Sequence, residues 1–219
     1  MQTSRAPTGA PTVCVFSKST TSSIAEPPAQ TSHLQTPSKS NQTCAPNLYE
    51  YGDNIEQWAE NALTQTKSKK LIVVGCSVGG SCALEVAKQA PDRIAALVLI
   101  GTNANHNPNR QNHRKYVDFA DNHGVQAAWR HYWEPLLIKD NNKEAALEAE
   151  RIALRQSVEH LTNGLKAFHL RPNLIDIVAE ANFPIHVVMT VKRHYRCVYL
   201  VGKLALLPTL WKFAFIRSA

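Results

Sequence analysis

Leu71, Ile72, Val73 and Val74 form a short unbroken apolar run, and residues 94–100 form a second. Runs of this length, free of polar positions and rich in β-branched residues, predict strands buried on both faces of a parallel sheet. Between them, residues 81–90 supply the small and straight-chain side chains of a helix packed closely on that sheet, and Pro91-Asp92 stops it. The resulting β-α-β unit has the length of a right-handed crossover. Upstream, Ile55, Trp58, Ala59, Ala62 and Leu63 mark one helical face, with Asp53 and Glu56 as a capping-box-like start. Downstream, the pattern predicts a helix over about 110–133, interrupted by Gly124 and closed by Pro135. A second is expected over about 142–161 with Gly164 as its stop signal, and a short third over 174–181. Residues 183–189 read as one more strand.

The first apolar run ends in Gly75-Cys76-Ser77-Val78-Gly79-Gly80, so a serine stands where a strand breaks into a helix. This is the G-x-S-x-G pattern of a nucleophile elbow. A serine at the tip of so sharp a turn needs neighbours without side chains two positions before and two after, and Gly75 and Gly79 fill those places. The helix that follows presents free N–H groups and a positive dipole end. An oxyanion forming on a carbonyl attacked by Ser77 would then meet the backbone N–H of Val78.

With these residues in place, the chain resembles the α/β-hydrolase family over about residues 48–189. It is similar to the esterase-like branch, in which the elbow helix ends in a Pro-Asp-Arg-type turn and the next strand reads like Ala96-Leu97-Val98-Leu99-Ile100-Gly101. The resemblance implies an α/β fold with an incomplete α/β-hydrolase-type parallel sheet and a helical cap insertion at 104–180. It also implies a serine hydrolase acting on carboxylic ester or related acyl substrates, without a cofactor. A dinucleotide-binding unit is the competing reading of Gly75 and Gly80. That unit would want a glycine at position 77 and an acid at the end of the following strand, where Gly101-Thr102-Asn103 offers none.

Family members carry a His-Gly-type oxyanion loop before the elbow, an acid after the strand that follows the lid, and a histidine after the last strand. Here no His-Gly pair precedes Ser77, no Asp or Glu follows Glu180, and residues 102–105 carry no carboxylate. His194, the only histidine beyond residues 183–189, is the candidate base, although it falls earlier than the family's. His106, His113, His123, His131, His160 and His169 lie in the expected cap, His186 lies in a strand and His33 in the head. Ordinary packing or exposure accounts for each. No Cys, His and carboxylate spacing suggests a metal site.

Of residues 1–47, 22 are Ser, Thr or Pro, and apolar periodicity is confined to Val13 to Phe16. Such a stretch buries too little apolar surface to offset chain entropy and reads as a disordered head. The core is expected over 48–190, followed at 191–219 by a basic apolar tail. Of the formal charge of +7, six belong to that tail, which holds six Lys/Arg and no acid, and the rest of the chain carries +1. The core therefore lacks the basic face that nucleic-acid binding requires. The apolar stretch at 199–211 is interrupted by Lys203 and Pro208 and is shorter than the roughly 20 residues of a membrane span. Five scattered cysteines argue for reduced thiols in the cytoplasm rather than a disulfide framework.

Two functions fit these features. One is a serine hydrolase of small ester or acyl substrates, with Trp129 and Trp133, one turn apart in the cap, either walling the pocket or packing within the cap. The other is a catalytically inactive α/β-hydrolase fragment or non-enzymatic binding protein whose ends were truncated or replaced by frameshifts.

Overall fold

The two predicted strands lie side by side at the centre of a sheet, β3 (Leu71–Cys76) and β4 (Ile94–Ile100), in parallel register from Ile72 opposite Ala96 to Cys76 opposite Ile100. The computed structural model describes residues 12–16, 43–135, 143–190 and 211–216. Four more strands complete the sheet: β1 (Thr12–Phe16), β2 (Thr43–Cys44), β5 (Ile185–Thr190) and β6 (Trp211–Ile216). The order is β2-β1-β3-β4-β5-β6, all parallel.

On one face Leu71, Val73, Leu97, Leu99, Ile185 and Val187 are buried in a single core with the helices α1 (Ile55–Thr64) and α2 (Val78–Gln89). Each fully buried Leu or Ile there contributes about 1.5–3 kcal/mol relative to exposure. The alternate residues Ile72, Val74, Val98 and Ile100 are only half-buried. The expectation of burial on both faces is thus met fully on one. Trp58 is completely buried, and its Nε1 donates to Gly52 O at 2.8 Å, so the largest core side chain leaves no polar atom unpaired. Arg93 fixes the entry to β3: its guanidinium donates to Thr66 O and Ser68 O at 2.9 Å from the turn before β4.

The head departs from the sequence reading, and the tail, for which the sequence suggested no structure, contributes a strand. Thr12–Phe16 is not disordered but inserted between β2 and β3, pairing Thr12 with Leu71 through Phe16 with Gly75. Its apolar run is the only one in the head, and the ladder supplies the backbone partners that a lone segment lacks. Thr43–Cys44 pairs on its outer side. From the tail, Trp211–Ile216 pairs with β5 along its length, Ile185 opposite Trp211.

The insertion is helical, with boundaries that local chemistry moves. In α3 (Arg110–Ala128) the helix breaks at Gly124 and continues into a π-helical turn at Trp129–Trp133. The single helix expected over 142–161 is two, α4 (Lys143–Ala153) and α5 (Val158–Leu170). Ser157 starts the second by accepting from His160 N at 3.0 Å. Gly164 stops nothing: it lies inside α5 against Tyr49, where a Cβ would sit 2.6 Å from the ring. The third helix is α6 (Ile175–Ala179). Ala120 and Ala128 of α3 and Leu161 and Leu165 of α5 form a second core, separate from that of the sheet. The cap of α1 also shifts by one residue. Asn54 accepts from Gln57 N at 2.9 Å, whereas the Asp53 carboxylate turns to Lys166 of α5.

Candidate active site

Gly75 and Cys76 close β3, and the chain turns at Ser77 directly into α2. Ser77 has φ 54° and ψ −119°, the only positive φ at a non-glycine among the described residues. A side chain held there costs about 1–3 kcal/mol and persists only where the surroundings over-determine it. Four contacts do so. Ser77 N donates to Ile100 O of β4 at 2.9 Å, and Gly80 N donates to Ser77 O at 3.1 Å. The Thr102 hydroxyl also reaches Ser77 O at 3.3 Å. A Cβ on Gly75 would lie 2.4 Å from Gly80 Cα and 2.5 Å from Gly79 O, so the strand end and the first helical turn meet backbone to backbone.

Gly79 therefore contributes its backbone to this contact, and Gly80 and Thr102 are the elements that the sequence reading missed. A Cβ on Gly80 would fall 1.8 Å from Thr102 Oγ1. The doubled glycine after Ser77 was a signal for the first. Nothing local marks Thr102, which enters from the loop after β4.

Ser77 is half-buried, and its side chain caps no N–H of α2. Val78, the first helical residue, has its side chain buried. The opening N–H groups of a helix have no partner within it, and the positive end of the dipole lies at Ser77. The arrangement can hold a hydroxyl beside anion-stabilising amides.

No described histidine or carboxylate hydrogen-bonds Ser77 Oγ. His106 Nε2 lies 3.2 Å from His169 O, and burial, with Arg171 nearby, holds its pKa below the usual value against that carbonyl. His123 and His131 stack on Phe119 at 4.4 and 4.8 Å. His169 is buried against Tyr116 and Phe168. Glu85, 1 % exposed on α2, is bound by Lys88 Nζ at 3.1 Å and Gln89 Nε2 at 3.2 Å, a structural pairing near the helix's far end. His194 lies outside the described residues. Among the described residues no group of His, Cys, Asp and Glu is arranged to hold a metal.

In the cap, a cavity of about 240 Å³ is lined by Tyr49, Tyr116, Tyr132, Trp133, Phe168 and His169, with Leu161, Gly164 and Leu165. Of the two tryptophans, Trp133 walls it. Trp129 instead packs inside the cap, 6 % exposed, with its Nε1 unpaired. Ser77 is not among the residues lining this cavity. Arg171 closes the end of α5, its guanidinium 4.4 Å over the Phe168 ring and donating to Phe168 O, and burial lowers its pKa to about 10.

The sheet, the strained serine and the helix that begins behind it define an α/β-hydrolase fold. A family model described as alpha/beta hydrolase fold matches residues 30–122, and the chain has the α/β-hydrolase fold. No curated protein matches the sequence. Among solved structures, it is similar to a thermophilic esterase from Thermogutta terrifontis, with 20 % identity and TM-score 0.61 over 75 % of this chain and 64 % of that one. It is also similar to MenH from S. aureus, with 18 % identity and TM-score 0.64 over 82 % of this chain and 76 % of that one. The enol-lactonase from Burkholderia xenovorans LB400 aligns at 17 % identity and TM-score 0.59, over 75 % and 65 %. The chain thus covers about two thirds of the length of the esterase and the enol-lactonase. No helix among the described residues is long and apolar enough to cross a membrane.

Proposed function

We propose that this chain is a serine hydrolase of small carboxylic esters or related acyl compounds, with Ser77 as its nucleophile. The observation that carries the reading is the conformation of Ser77. A non-glycine held at φ 54° with its hydroxyl withdrawn from capping duty is strain retained at the point where a nucleophile would be presented. Ser77 Oγ attacks the substrate carbonyl, and the Val78 N–H stabilises the oxyanion. Collapse expels the alcohol and leaves an acyl-serine, which water then hydrolyses. Gly75 and Gly79 let strand and helix approach closely enough to hold this turn. His194 is the assigned base, taking the Oγ proton. The likeness to solved structures of an esterase and an enol-lactonase supports an ester or lactone substrate. Four cysteines outside any disulfide among the described residues fit a reducing compartment such as the cytoplasm.

One observation favours a second reading. Since no described imidazole or carboxylate hydrogen-bonds Ser77 Oγ, the chain is alternatively a catalytically inactive protein of this fold that binds a small molecule without turning it over. Without a base the serine hydroxyl keeps a high pKa, and nucleophilic catalysis falls by orders of magnitude. A fluorophosphonate probe decides between the two, because it reacts only with an activated serine. Labelling that Ser77→Ala abolishes and His194→Gln reduces supports the hydrolase as assigned. Absence of labelling in a chain with a cooperative thermal transition supports the binding protein.

A further inference from the structure

Cys14 on β1 and Cys44 on β2 are direct partners in the parallel ladder, one rung after Val13 and Thr43. Partners on one rung point to the same face, and neighbouring strands lie about 4.8 Å apart. That spacing falls within the ~4.4–6.8 Å between Cα atoms that a disulfide tolerates. The two side chains are hydrogen-bonded to each other, and both cysteines are free thiols. They differ in access: Cys14 is 2 % exposed, and Cys44 is half-buried at the sheet edge.

We propose that Cys14 and Cys44 are a two-electron redox pair that closes to a disulfide when a peroxide reaches Cys44, tying the edge strand β2 covalently to β1. The Cys44 thiol gives up its proton and the thiolate attacks one peroxide oxygen; the O–O bond breaks, the sulfur becomes a sulfenic acid, and the departing hydroxide takes up that proton as the first water. The Cys14 sulfur then attacks the Cys44 sulfur. The S–S bond forms, the S–O bond breaks, and hydroxide departs with the Cys14 proton as the second water. Two thiols are oxidised by two electrons in total and the peroxide is reduced to water. Burial raises the Cys14 thiol to about 11, with Cys44 adding to it and Arg93 opposing it, and burial also raises Cys44, opposed by the hydrogen bond from Cys14. The more accessible Cys44 at the sheet edge is the attacking sulfur and the buried Cys14 the resolving sulfur.

The disulfide closes the chain between Cys14 and Cys44 into a covalent loop. β2 is only two residues long, so its attachment rests on few ladder bonds, whereas β1 is anchored beside the elbow strand with Phe16 opposite Gly75. Oxidation fixes the weaker strand to the stronger. Cross-links of this kind in reducing compartments are characteristically transient.

Intact full-length chain is treated with hydrogen peroxide, quenched with maleimide under denaturing conditions and digested. The expected product is a Cys14–Cys44 peptide pair lighter by two hydrogens, reversed by dithiothreitol. The oxidised chain melts at a higher temperature than the reduced one, and in Cys14→Ser the reaction stops at a Cys44 sulfenic acid that dimedone traps. Maleimide on both Cys14 and Cys44 after a treatment that oxidises the exposed Cys76 would overturn the proposal. So would either cysteine pairing instead with Cys76, Cys82 or Cys197.

Discussion

Thr102 fills the space that a Cβ on Gly80 would occupy, with its Oγ1 1.8 Å from that position and its Cγ2 2.6 Å away. The same hydroxyl reaches Ser77 O at 3.3 Å. One side chain from the loop after β4 thus presses the first turn of α2 against the sheet and supports the strained residue beneath it. Gly80→Ala is expected to destabilise the chain by about 1–3 kcal/mol, the range for overpacking a tight site. Thr102→Ala alone loses about 1 kcal/mol with its hydrogen bond. Combined, the two should cost less than their sum by roughly 1 kcal/mol, since the smaller side chain relieves the clash. Urea denaturation of the four chains measures this, and strict additivity would show that the contact is not made.

Strain at Ser77 makes a prediction of opposite sign for stability and activity. Ser77→Gly relaxes the positive φ, whereas Ser77→Ala removes the hydroxyl and keeps the strain. The glycine variant should be the more stable of the two by roughly 1 kcal/mol, after the greater entropy of its unfolded chain is deducted. Both should lose fluorophosphonate labelling. Equal thermal midpoints for the two variants would mean that the turn is not strained.

Gly164 offers a test of packing against helix propensity. In a helix with open space, Gly→Ala stabilises by about 0.5–1 kcal/mol. Here the added methyl would meet the Tyr49 ring at 2.6 Å, so Gly164→Ala should instead destabilise by roughly 1–2 kcal/mol. Replacing Tyr49 by Leu in the same chain should restore much of the gain. Calorimetric melts of the single and double variants decide which effect dominates.

Acid should weaken the contact between α1 and the cap. The Lys166 ammonium beside Asp53 holds its carboxyl below the ordinary value, with Asn54 and the Asp53 backbone amide also lowering it. A carboxyl depressed in the folded state adds stability above its unfolded-state pKa and loses it as pH falls through the folded-state value. Asp53→Asn should therefore reduce the slope of stability against pH at and below the ordinary carboxylate range and leave the alkaline side unchanged. Both side chains are about a third or more exposed, so the effect is small and shrinks with added salt. Urea titrations at stepped pH values measure it.

What the sequence determined by itself is the contiguous unit from β3 through the elbow and α2 to β4. Each part of that unit is encoded by neighbours: unbroken apolar runs for the strands, Gly75 and Gly79 around Ser77, and Pro91 behind the helix. The helical character of the cap and the break at Gly124 follow from the same local rules. Tertiary structure alone decided where Thr12–Phe16, Thr43–Cys44 and Trp211–Ile216 pair, because ladder partners lie far apart in sequence and a short run carries no mark of the strand it will join. It also decided that Asn54 rather than Asp53 caps α1, with Lys166 drawing the carboxylate away. The contacts of Thr102 with Gly80, Gly164 with Tyr49 and Cys14 with Cys44 belong to the same class. They are set by close packing between distant segments, where fractions of an ångström, not residue type, fix which side chain fits.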